Sequence, residues 1–286
     1  MNGLRNNIRW LVLLVLVLVN VVVWYAVAAE TARDTLTVAF LDVGQGDSIF
    51  IESPSGRQVL IDGGAGNVVL RQLGGVMPFF DRSIDVVIAT HPDRDHIGGL
   101  ADVLEDYNVS HILDPGVLND TGVYEEFERL ADEEPEGKRV LARRRQVVDV
   151  GGGAYLRILF PDRDVSGVET NTGSVIAQLV YGDTEFMLTG DAPQAIEEYL
   201  ILRDGPSLES DVLKAGHHGS RTSNSEHFVG VVDPDYVVIS AGCDNSYGHP
   251  HQEVIDIFTK LNTKILSTCD EGTVVFESDG NTVRAR

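Results

Sequence analysis

The stretch THPDRDHIGGL, residues 90–100, places two histidines and two aspartates, His91, Asp93, Asp95 and His96, at alternate and then adjacent positions. It is entered from the short β-branched run DVVIAT, residues 85–90, and left through two glycines. Such a run reads as a buried strand, so His91 falls where strand gives way to loop, and residues 97–107 read as a helix leaving it. Donors at a strand's C-terminal end converge on one point, and a divalent cation needs several imidazoles and carboxylates fixed together. The plain alternative, a charged surface loop, gives no reason for this alternation.

Working outward, the other candidate donors also stand where strands end. Runs 36–42, 48–52 and 58–61 read as strands, and the last closes on Asp62-Gly63-Gly64, where glycine allows close backbone approach. Asp62 is therefore expected to hydrogen-bond to the metal loop from beneath. Asp47 and Gln45, in a glycine turn between the first two strands, either line the cleft or simply shape that turn. A helix is expected over 68–76 and another over 124–134, ending near Pro135. Residues 138–145 hold Arg143, Arg144 and Arg145 in a row, either a solvated edge or a phosphate-facing cluster. Strands over 147–150 and 155–160 precede a hairpin, 175–181 and 185–188, opened by Asn171 and ending at Asp191. A strand over 211–215 leads into Gly216-His217-His218-Gly219-Ser220, a second convergent donor set. His249 lies in Tyr247-Gly248-His249-Pro250, which also suits a plain helix-entry turn. A β-rich start followed by alternating strands and helices predicts sheets covered by helices with a site along one edge.

Residues 10–29 are apolar except for Asn20, about the ~20 residues a membrane-crossing helix needs. Arg5 and Arg9 precede this run with no acidic residue before Glu30, so the positive-inside rule places the rest of the chain outside the cytoplasm. The expected division is a signal anchor over 1–30 and one domain over 31–286. The domain would be held single-pass at the cell membrane, or secreted if Ala26-Val27-Ala28 is a cleavage site. The net charge of −22 opposes bulk attraction to nucleic acid, so a polyanionic substrate would need a local site. The two cysteines, Cys243 and Cys269, are compatible with a disulfide or with buried thiols.

The ordered motifs His91-x-Asp93-x-Asp95-His96, Thr189-Gly190-Asp191 and Gly216-His217-His218-Gly219-Ser220, with Asp62 in support, resemble the metallo-β-lactamase fold superfamily. Leu41-Asp42-Val43-Gly44-Gln45-Gly46-Asp47-Ser48, His91 to Leu100, Leu213 to Ser220 and Tyr247 to Pro250 resemble more closely the hydrolase-like C-terminal domain of the competence protein ComEC. The resemblance implies an α/β fold, a four-layer αββα sandwich, here behind one transmembrane helix, and a site for two divalent metal ions. His91 and Asp93 would hold one ion, Asp95 and His96 the second, and Asp191 would bridge them. Either His217 or His218 would complete the second site. Because neighbouring strand residues point opposite ways, His217 is taken as the ligand and His218 as the substrate-facing group.

Asp93 and Asn171 stand where the wider superfamily has histidines, which hardens the site from zinc towards manganese. The implied activity is that of a phosphodiesterase or nuclease using a metal-activated water. Asp95 would orient or deprotonate that water, His249 donate to phosphate, and Ser220, Arg221 and Thr222 hold the flanking phosphate. The implied partners are nucleic acid such as single-stranded DNA or a small phosphodiester, the membrane, and a DNA-uptake channel. ComEC carries a multi-helix channel that this chain's single apolar segment does not match, so only the hydrolase chemistry carries over. Two rival readings are hydrolysis of a small extracellular ester, lactam or phosphodiester, and a catalytically inactive metal-bound binding module.

Overall fold

Short runs rich in valine, isoleucine and phenylalanine follow one another from Leu36 and pair into a meander. They form β1 (Leu36–Phe40), β2 (Ile49–Glu52) and β3 (Gln58–Ile61), antiparallel throughout. The computed structural model describes residues 2–30, 35–134 and 138–286. Ahead of the meander, α1 (Asn2–Glu30) contains an 18-residue apolar window of mean hydropathy 2.2, long enough to cross a bilayer. The connector after it and the expected helix end at Pro135 lie outside the described residues.

The chain then alternates. Helix α2 (Val68–Val76) leads to β4 (Ser83–Ile88), α3 (Arg94–Asp106) to β5 (Asn108–Asp114), and α4 (Gly122–Glu133) to β6 (Lys138–Leu141). These added strands run parallel to β3. A second sheet opens with β7 (Val147–Gly151), β8 (Ala154–Phe160), β9 (Ile176–Tyr181) and β10 (Thr184–Leu188), all antiparallel. After α5 (Gln194–Asp204) come β11 (Val212–Lys214), α6 (Glu226–Val232), β12 (Tyr236–Ile239), α7 (Gln252–Lys260) and β13 (Lys264–Ser267), the three strands parallel. A short α8 (Thr268–Glu271) precedes β14 (Val274–Ser278) and β15 (Val283–Ala285), which return to the first sheet beside β1. The strand orders are β15-β14-β1-β2-β3-β4-β5-β6 and β13-β12-β11-β10-β9-β8-β7.

The two sheets pack face to face, and alternation along each strand decides which layer a side chain joins. Val38, Phe40 and Ile51 meet Phe186 and Leu188 across the inter-sheet core, where Phe276 packs edge-on against Phe40 at 5.9 Å and Phe186 at 6.0 Å. The opposite faces carry Ala39, Leu60 and Val87 against Ile97, Leu100 and Val103 of α3, and Leu213 and Val237 against Phe228 of α6 and Phe258 of α7. Each buried phenylalanine contributes roughly 1.5–3 kcal/mol. The result is helix, sheet, sheet, helix, as the resemblance implies. Strands β1 and β3 to β6 point one way, and their C-terminal ends carry Asp62 and His91 to one edge.

Some elements differ from the expectation. Helix α3 begins at Arg94 rather than 97, so Asp95 and His96 stand in its first turn. The basic run starts as edge strand β6, and β13 and α8 had no clear signal.

Candidate metal centre

Where β4 ends, the chain bends through Thr90 to Pro92 into α3. Asp93 occupies the residue before that helix, yet its carboxylate makes no capping bond and stands with Oδ2 3.6 Å from His91 Nε2. The His91 and His96 rings lie 4.0 Å apart, both fully buried. Asp191, just past β10, reaches them with Oδ1 3.4 Å from His96 Nε2 and Oδ2 3.9 Å from His91 Nε2. The glycines after His96 explain how α3 approaches so closely: a Cβ at Gly99 would lie 2.1 Å from the Gly63 carbonyl oxygen.

Beneath this loop sits Asp62, buried, with φ 59°. Its Oδ1 accepts from Thr90 N at 2.7 Å, and its Oδ2 from Thr90 Oγ1 at 2.6 Å and His96 Nδ1 at 2.7 Å. The carboxylate thereby fixes the ring of His96 and leaves Nε2 facing Asp191. Burial opposes a charge on His96, but Asp191 and Asp62 outweigh it and raise its pKa well above the ordinary value.

The second donor set departs from the alternating-strand reading. Residues 216–219 form a tight turn in which His217 (φ 50°) and His218 (φ 54°) are both left-handed. They are not strand neighbours, so alternation does not separate their roles, and both imidazoles approach Asp191 Oδ2 at 3.6 Å. His218 is buried, its Nε2 3.3 Å from Asp95 Oδ2 and 3.6 Å from Asp191 Oδ2, and it groups with Asp95 and His96. His217 is 26% exposed and approaches Asp191 Oδ2 at 3.6 Å from the rim, with Nδ1 3.1 Å from Thr222 Oγ1.

Four supports of this turn have little local signal. His218 Nδ1 lies 2.9 Å from the Ser240 carbonyl and 3.2 Å from Asp47 Oδ1. Asp47 Oδ2 is 2.7 Å from Lys214 Nζ, and both side chains are buried. Burial would push the Asp47 carboxyl up, but Lys214 and His218 hold it down at about 2. Burial likewise opposes a charge on His218, while Asp191 and Asp47 raise its pKa to about 9. Asn224 accepts from Gly216 N and donates to the carbonyls of Gly216 and Ser220, clamping the turn across its mouth. Lysine in the apolar triplet Val-Leu-Lys was the one available clue, since a buried lysine needs a partner.

His249 lines the rim, its ring 5.4 Å from His217 and 6.2 Å from His218, with burial first and those histidines next lowering its pKa to about 4. A disulfide between Cys243 and Cys269 ties the segment leading to His249 onto α8. Ser220 is buried and its hydroxyl pairs with Thr222 at 3.0 Å, so these two support His217, while exposed Arg221 lies 3.6 Å from Glu253. Asn171 keeps a buried, unpaired Oδ1 beside Thr170, whose side chain bonds to Asp93. Arg143 donates to the Pro115 carbonyl and Arg144 pairs with Asp204, consistent with a structural edge.

The donor set fits divalent cations. Nε2 of His91, His96 and His218 and Oδ1 of Asp191 are all buried and without a hydrogen-bond partner, yet face one another. Buried polar atoms are rarely left so, and cations among them would satisfy every one.

Residues 41–242 match the family model described as the metallo-beta-lactamase superfamily. The chain belongs to that superfamily. Its curated relatives include ComE operon protein 3 of Bacillus subtilis, 30% identical over 273 residues, covering 84% of this chain and 32% of the relative. Competence protein ComA of Neisseria gonorrhoeae is 31% identical over 253 residues, covering 87% and 33%. The chain thus spans about a third of the length of these relatives. Among solved structures, Igni18, a metallo hydrolase from Ignicoccus hospitalis, aligns with TM-score 0.54 and 15% identity over 85% of this chain and 98% of that one. CmlA, a diiron β-hydroxylase from Streptomyces venezuelae, aligns with TM-score 0.52 and 14% identity over 80% and 52%. These likenesses carry the fold: a metallo-β-lactamase superfamily domain related to competence proteins.

Proposed function

We propose that this chain is a membrane-anchored, extracytoplasmic phosphodiesterase acting on nucleic acid, with single-stranded DNA as the favoured substrate. The observation that carries the hydrolase reading is the ring of unpaired buried donors from His91, His96, His218 and Asp191. The competence relatives favour DNA over other diesters. His91, Asp93 and Asp191 would hold one ion, and Asp95, His96 and His218 the other, Asp191 being shared. Zinc or manganese in these positions would supply Lewis acidity and a water of near-neutral pKa.

The chain's own groups do the rest. Asp95 is 30% exposed with Oδ2 3.3 Å from His218 Nε2 and would orient the attacking water; burial would raise its carboxyl, but His218 and His96 hold it well below the ordinary range, so it stays ionised for that role. His249, held at the rim, would donate to a phosphate oxygen, and Arg221 would contact the flanking phosphate. The signal-anchor reading is supported by Arg5 and Arg9 before the apolar helix, and the exterior location also by the disulfide. A DNA-uptake channel is the partner that the relatives favour.

Full-length protein incubated with end-labelled single-stranded DNA and manganese or zinc, beside D95A, tests this. Metal-dependent cleavage lost in a folded D95A is the expected result. Tight metal binding without cleavage of DNA would shift the substrate to a small diester, which the net charge of −22 also suits. Absence of any turnover would leave the binding-module reading.

A further inference from the structure

Between α2 and β4 the chain turns through Met77-Pro78-Phe79-Phe80-Asp81-Arg82, which presents Phe79 at 91% and Phe80 at 80% exposure. Single exposed apolar side chains are ordinary, but two adjacent phenyl rings in water mark a surface that something else covers. The segment is held in place. Asp81 Oδ1 accepts from Ser83 N at 3.0 Å and Ser83 Oγ at 2.7 Å, and its Oδ2 accepts from Gln58 Nε2 at 2.8 Å. Arg82 lies over the Tyr107 ring and donates to its hydroxyl. The chain that follows the rings is therefore fixed, and both rings stand out into solvent.

Sheet topology says what they face. Strands β1, β3 and β4 run in the same direction, so the start of β4 lies on the same sheet edge as the start of β1. The register connects Thr37 through Glu52 to Gln58, and Val59 stands beside Val86, so residues 79–80 project beyond the level at which β1 begins. Helix α1 ends at Glu30 and β1 starts at Leu36, a covalent reach of about 20 Å at most. The loop lies three strand spacings from β1, roughly 14 Å along the sheet. The tether thus brings this edge within reach of the bilayer.

Resting on the signal-anchor reading above, we infer that Phe79 and Phe80 enter the bilayer interface as a second membrane contact, which orients the domain with its metal centre away from the lipid. His91 lies eight residues beyond Ser83 along and just past β4, roughly 25 Å from the lipid-facing edge. A polymeric substrate would therefore reach the site from the aqueous side with the bilayer behind the domain.

The test uses the full chain in phosphatidylcholine vesicles. Cys243 and Cys269 pair with each other, so F79C, F80C or D120C each offers one free thiol for a nitroxide label. Asp120 follows β5 on the metal-bearing edge and serves as the contrast. Expected is a several-fold higher ratio of collision with oxygen to collision with a water-soluble nickel chelate at 79 and 80 than at 120. Equal ratios in vesicle-bound protein would overturn the lipid contact while leaving the anchor intact. Protection of 79 from both quenchers, with dipolar broadening, would assign the patch to a protein contact and overturn it too. Failure of the chain to float with vesicles would overturn the anchor reading itself.

Discussion

The two turns that supply the donors are built on different principles. The turn at residues 90–96 is a strand end running into a helix, seated on the glycine backbone at 63–66 and steadied by one carboxylate, Asp62. The turn at 216–224 has left-handed histidines and, besides backbone bonds such as that from His217 N to the Gly190 carbonyl, leans on buried polar side chains: Asp47 with Lys214, its own Asn224, and Glu197, which accepts from Ser225 N at 2.8 Å and also from Asn224 N. The first is regular backbone with a local polar support. The second is an assembly of buried polar and ionic groups, so its integrity depends on pairing and on pH. That contrast predicts opposite responses to mutation.

The largest effect is expected at the buried pair. Breaking Lys214–Asp47 by D47A leaves an ammonium with no ionic partner in a dry interior, at a cost of about 4 kcal/mol. Removing both charges in D47A/K214M should recover most of that loss in urea denaturation, because the lone charge is the problem rather than the missing attraction. A D47A cost under about 1 kcal/mol would mean that the second turn is not held as described.

Next is the pH response of Glu197, 1% exposed, whose carboxyl is pushed up to about 7, chiefly by burial, against the bonds from Ser225 and Asn224. In the unfolded chain its pKa returns to about 4.5. The folded state then binds the proton more tightly, so this group's contribution is complete below about 4.5 and is lost as pH rises through about 7, up to about 3 kcal/mol. Stability curves for the native protein and E197Q should diverge in slope between those values. Parallel curves would show that the two backbone donors keep Glu197 ionised throughout.

The same contrast explains what could be read from residues alone. His91, Asp93, Asp95 and His96 fall within six residues, and Asp62 and Asp191 close strands of plain apolar pattern, so spacing and strand ends placed them together. Strand alternation cannot tell His217 from His218, because the backbone is left-handed at both. Lys214 and Asp47 are far apart in sequence, and nothing local to either reports the other. Sequence makes Asp47 a candidate supporting residue but not the support of any one donor; in the structure it stands behind His218, with Oδ1 3.2 Å from Nδ1. The αββα layering was legible because each layer has its own periodicity; the late β13 and α8 were not, being short and only partly buried.

The smallest change expected in the fold, though not in the chemistry, is D62N. The amide keeps an oxygen to accept from Thr90 N, so the strand end and α3 should stay in place and the denaturation midpoint should move little. At Oδ2, however, a neutral group replaces the carboxylate that orients His96 through Nδ1. Losing such a support behind a ligand weakens metal affinity by about 10- to 100-fold. Competition with a chelating dye should therefore show weaker zinc or manganese binding in a protein that unfolds at nearly the native urea concentration. D47A should show the reverse emphasis, losing stability first. If D62N instead unfolds the domain while the metal affinity of the surviving fraction is unchanged, Asp62 serves the backbone bend at Thr90 and not the ring of His96, and the two turns are more alike than their geometry implies.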